Sequence, residues 1–146
     1  MFKKLSILLS AFLLIAQIAF ASPETKHIID TTLDDSPTSI TGTWNTADYN
    51  RITFFVLYDE TQVGNSISAA VSLEVSVDGT NWLAGSFFDF AGGSTLQTTE
   101  TISADGNYIF WLDKAMTIPY VRVTIAATNT DTDDIAAVDC YVVGQR

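Results

Sequence analysis

The chain is poor in the residues from which active sites and covalent cross-links are made. Its 146 residues contain one cysteine, Cys140, and one histidine, His27. A single cysteine excludes an internal disulfide, so a domain of this size outside the cytoplasm must be held by its core, by a metal or by neighbouring subunits. With His27 in a polar stretch and Cys140 in mid-strand, neither a Ser-His-Asp nor a Cys-His arrangement can be assembled. His27 reads as a surface residue and Cys140 as a core residue. The same scarcity disfavours zinc, which takes several His or Cys ligands. The expectation is a protein that is not an enzyme.

Cations are also few, with 7 Lys and Arg against 17 Asp and Glu. Beyond Lys3 and Lys4 they are scattered as Lys26, Arg51, Lys114, Arg122 and Arg146. Binding to phosphate backbones needs clustered cations, so nucleic acid is excluded as a partner, and the acidic balance opposes adsorption to anionic lipid. Helical periodicity is missing after the first twenty residues.

What is present begins with a leader. Lys3 and Lys4 precede an apolar run from Leu5 to Phe20, and Ala19-Phe20-Ala21 sets small residues at the end of that run. This is the pattern of a signal peptide with an A-x-A cleavage site before Ser22. It predicts an exported chain, secreted, periplasmic or at the cell surface, with no membrane association after cleavage. A retained anchor is the alternative, since a spanning helix needs about 17 apolar residues at least. Ser6, Ser10, Gln17 and the lack of a basic or aromatic far flank favour cleavage.

The expected organisation is a leader over 1–21, a polar arm over 22–39 and one β domain over 40–146. In the arm, Lys26 to Leu33 is long enough for an edge strand, with Ile28 as its apolar anchor and Ile28 and Ile29 as candidate assembly residues. It either folds back on its own sheet or crosses to a neighbouring subunit. From Ile40 the chain becomes short β-prone runs divided by turn residues. Arg51 to Asp59 is apolar on both faces and should be central in a sheet. Ala69 to Val77 alternates strictly, with Val71, Leu73, Val75 and Val77 on one face, and ends at the Asp78-Gly79 reversal. Trp82 to Phe90 and Leu96 to Ser103 should be strands, followed by a second reversal at Asp105-Gly106. Tyr120 to Ala127 buries Val121, Val123 and Ile125, and Ile135 to Val143 buries Val138, Cys140 and Val142 while Asp139 and Tyr141 face out. The sum is about eight or nine strands, an all-β antiparallel two-sheet sandwich of the jelly-roll kind. An immunoglobulin-like sandwich is the alternative.

Three sets of residues are candidates for binding. Glu60, Glu74 and Glu100 are carboxylates with no spacing that singles out a glycosidase pair. Asp131, Asp133 and Asp134, preceded by Asn129, supply the oxygen ligands that calcium prefers, and Asp30, Asp34 and Asp35 would join them if the arm lay alongside. The competing reading is a hydrated loop, with no cofactor. Trp44, Trp82 and Trp111 would form a glycan-binding surface if exposed in line; the simpler expectation places them in the core, Trp82 and Trp111 plugging the end of the sandwich.

Leu73 to Trp82 (LEVSVDGTNW), Phe87-Phe88-Asp89 and Pro119 to Val123 (PYVRV) resemble β-sandwich modules of bacteriophage virion proteins, such as tail, head-fibre or decoration proteins, and of some bacterial surface proteins. The resemblance spans roughly Arg51 to Val143 and describes a hairpin, not an active site. It implies a jelly-roll-like structural subunit whose partners are copies of itself or other surface or virion proteins. Carbohydrate binding, as a module or adhesin, is the alternative function.

Overall fold

Strict alternation decides which way the clearest strands face. In Tyr120–Ala127 the residues Val121, Val123 and Ile125 are buried, and in Ile135–Gln145 Ala136, Val138, Cys140 and Val142 are fully buried. The structure, a computed structural model, describes residues 23–33, 39–61, 67–89, 95–113, 118–127 and 135–146. The leader, Asp34, Asp35, Asp131, Asp133 and Asp134 lie outside the described residues.

Eleven strands are formed, in the order β1 (Glu24–Leu33), β2 (Ser39–Asn45), β3 (Arg51–Thr61), β4 (Ala69–Ser76), β5 (Leu83–Ala84), β6 (Phe87–Asp89), β7 (Leu96–Gln97), β8 (Thr99–Ile102), β9 (Gly106–Asp113), β10 (Tyr120–Ala127) and β11 (Ile135–Gln145). The excess over the expected number arises between residues 83 and 102, where two expected strands are broken into short pieces.

All pairings are antiparallel. One sheet has the order β1-β11-β3-β9-β6-β7, and the other β2-β10-β4-β5, with β8 also on β4. With the short β5, β6 and β7 set aside, each strand crosses to the opposite sheet from its predecessor, except that β4 and β8 pair with each other. That alternation is a jelly roll, with the short strands inserted between β4 and β8. As its two apolar faces require, β3 lies inside the six-stranded sheet, between β11 and β9.

The inner faces meet in one apolar core that includes Leu33, Ile52, Val56, Tyr58, Phe110, Ile125 and Val138. Phe87 meets Phe110 edge to face at 5.1 Å. Trp44 and Tyr49 stack at 4.8 Å over Gly144, where a Cβ would come within 2.6 Å of both rings. The buried Tyr58 hydroxyl donates to the Ile67 carbonyl at 3.0 Å, and burial pushes its pKa up to about 12.

Four expectations are corrected. Val77 is 79% exposed because β4 stops at Ser76, where the turn begins. Trp111 faces outward, since Phe110 and Leu112 take the inward positions of β9. Trp82 lies on the outer side of the second sheet, with the Arg122 guanidinium over its ring 4.3 Å from the centre, and not at the end of the sandwich. Asp105-Gly106 is no hairpin: β8 and β9 belong to different sheets, so the chain turns a corner there. Asp105 instead accepts a hydrogen bond from the Glu60 amide at 2.6 Å, which ties this corner to the end of β3.

Asp78-Gly79 does form the expected reversal, joining β4 to β5. Gly79 has a φ of 74°, a conformation that costs other residues strain. The Ser76 hydroxyl accepts from the Gly79 amide at 2.9 Å, and Asp78 Oδ1 accepts from the Thr80 and Asn81 amides, each at 2.8 Å. These donors hold the Asp78 carboxyl well below the usual carboxylate range.

Candidate functional site

The distinctive surface is the outer face of the six-stranded sheet. Residues outward on neighbouring strands are placed side by side by register, and here register builds two rows rich in aromatic and aliphatic side chains. One runs His27 (β1), Tyr141 (β11), Phe55 (β3) and Ile109 (β9). The other runs Thr25, Val143, Thr53, Trp111 and Phe88, the last from β6. Trp111 and Phe88 stack at 4.5 Å, and His27 and Tyr141 at 4.2 Å with their planes 7° apart. Cross-strand aromatic pairs of this kind stabilise a sheet, yet they also leave ring faces open to a partner.

Over these rows lies a groove of about 760 Å³, floored by Phe55, Ile109, Trp111 and Val143 and bordered by Pro23 and Arg51. An outward sheet face is ordinarily polar, and here Phe55, Ile109, Trp111 and Val143 make its middle largely apolar. Among the described residues, no His, Cys, Asp or Glu lines the groove.

At the β1 end of the first row, His27 Nε2 lies 2.9 Å from Asp139 Oδ1, with Asp30 beside them. A bulge brings this about. The register slips between His27 and Ile29, so His27 pairs with Tyr141 while Ile29 pairs with Cys140. Ile29 is buried and Ile28, the bulged residue, is half-buried against the core, so the strand is anchored mainly by Ile29 rather than by the expected Ile28. Sequence alternation alone gives no sign of the bulge.

The expected binding residues are not brought together. Trp44 is buried, and Trp82 and Trp111 lie on the outsides of opposite sheets, so the three cannot form one platform. Glu74 is engaged by Arg122, whose Nη2 lies 2.6 Å from its carboxylate, and Glu60 accepts from the Ile67 amide at 2.7 Å. Glu100 lies opposite Val71 on β8, away from the Glu60 strand. Cys140 is fully buried, and desolvation pushes its thiol up to about 12.

No family model matches this sequence, and no curated relative does either. Among solved structures, the fold is similar to that of the SPBc2 prophage-derived protein YomS, with a TM-score of 0.55 and 13% identity over 88% of this chain and 100% of that one. At that identity the likeness is one of fold, the two-sheet sandwich of a prophage-derived protein.

Proposed function

We propose that the protein is an exported, non-enzymatic structural subunit that assembles through the outer face of its six-stranded sheet, first of all with a second copy of itself. The observation that carries this reading is the pair of rows through Phe55 and Trp111, which cross strands from β1 to β6 on the side turned away from the core. Burying such a face removes apolar area from water, each fully covered large side chain contributing about 1.5–3 kcal/mol. The leader supports export, and the likeness to a prophage-derived protein supports a virion-like or surface assembly.

Sedimentation velocity of the chain from Ser22 to Arg146 tests the reading. The native protein should form dimers or larger species at micromolar concentration. Phe55→Glu, which points its new charge outward, should give monomers that melt near the native temperature. A native protein that stays monomeric at the highest soluble concentration rules out self-assembly through this face. Export has its own check: mass spectrometry of the protein from its host should find Ser22 at the N-terminus, whereas an intact Met1 in a membrane fraction would overturn cleavage.

A further inference from the structure

We propose that His27, Asp30 and Asp139 form a binding site for a divalent transition-metal ion of the zinc type, which clamps β1 to β11. One ligand atom from each residue lies within 4.8 Å of the other two. His27 Nε2 and Asp139 Oδ1 are 2.9 Å apart. That contact is a hydrogen bond, which an ion would replace: two donors at about 2.1 Å on a tetrahedral ion sit roughly 3.4 Å apart, so the pair has to open by only about half an ångström. Asp30 is exposed, and rotation about its side-chain torsions closes the remaining gap.

Three features separate this cluster from an ordinary acidic surface. In a regular strand, residues three apart point to opposite faces; the bulge at Ile28 rephases β1 so that His27 and Asp30 share one. Tyr141 stacks on the imidazole and limits its rotation, fixing the ring before an ion arrives. Asp30 and Asp139 are direct cross-strand partners, and like charges in that position weaken a sheet unless something between them is positive. Among the described residues, no lysine or arginine forms an ion pair with either carboxylate. An imidazole nitrogen with two carboxylates suits zinc, copper, nickel or cobalt, whereas calcium takes oxygen. Both strands contribute, so the ion would hold the pair together whether β1 belongs to the same subunit or to a neighbour. The site stands independently of the assembly reading.

The test is calorimetric titration of zinc chloride into the chain from Ser22 to Arg146, with melting followed in zinc and in EDTA. Native protein should bind one zinc per chain saturably, with a melting temperature that rises with zinc concentration and returns in EDTA. His27→Phe keeps a ring on Tyr141 but removes the nitrogen, and Asp30→Asn leaves an exposed side chain of the same size. Each should lose the saturable binding and the zinc-dependent shift while melting normally in EDTA. Absence of saturable binding by the native protein, or binding that survives in both variants, overturns the proposal.

Discussion

At the scale of single residues, the most informative side chain is Asp78, whose carboxylate collects the Thr80 and Asn81 amides and the Asn81 side-chain amide. Its pKa in the fold is depressed from 3.8. The stability it contributes is therefore present above about pH 4 and is lost as pH falls through the folded value. Asp78→Asn should lower the melting temperature at neutral pH, and the difference from the native protein should begin to shrink below about pH 4 and keep shrinking as the pH falls toward the folded value. A difference that stays constant with pH would mean that the charge is not what the turn uses. Cys140 leads to a second expectation. Its buried thiol, pushed up to about 12, should ignore thiol reagents at neutral pH until the protein unfolds. The turn was legible from Asp78-Gly79 because its chemistry is local. The packing of Trp82 and Trp111 was not, because a tryptophan suits a core and an outer sheet face equally well. The acidic tract with Asp131, Asp133 and Asp134 has a direct check: melting in millimolar calcium should exceed melting in EDTA if it binds, and equal melting means a solvated loop.

At the scale of elements, β1 is the strand on which the most depends. It pairs with β11 from Glu24 to Leu33 and buries Ile29 and Leu33 in the core. Its bulge is locked from the other sheet, since a Cβ on Gly42 of β2 would come within 2.7 Å of the Ile28 carbonyl oxygen. Gly42→Ala should therefore destabilise by about 1–3 kcal/mol through overpacking, seen as a lower denaturant midpoint. Leu33→Ala should cost about 2–5 kcal/mol by emptying a fully buried site. If deletion of 22–35 leaves a monomer of reduced stability where the native protein was also monomeric, β1 only folds back; loss of an oligomer would make it a connector between subunits. The inward faces of β10 and of most of β4 could be read directly, because apolar and polar residues alternate there up to the turn, and Asp139 set the phase of β11. Strands β3 and β9 are apolar on both faces, so nothing local in Arg51 to Thr61 or Gly106 to Asp113 distinguishes Phe54 from Phe55, or Phe110 from Trp111.

At the scale of the whole molecule, the proposed sites rest on register, which joins residues far apart in the chain. His27 and Asp139, 112 positions apart, meet only because β1 returns along β11. The two rows likewise need five strands in one particular alignment, and no window of sequence contains them. The sandwich was legible as a sum of local patterns, whereas the face that distinguishes it was not. The central claim is that this face, through Phe55, Ile109 and Trp111, joins one subunit to another. The most direct measurement is sedimentation equilibrium of the chain from Ser22 to Arg146 beside its Phe55→Glu variant, with melting of both as the check on folding. The account predicts a concentration-dependent oligomer for the native protein and a monomer of nearly equal melting temperature for the variant. An unchanged oligomer in the folded variant, or a native protein that never associates, would contradict it.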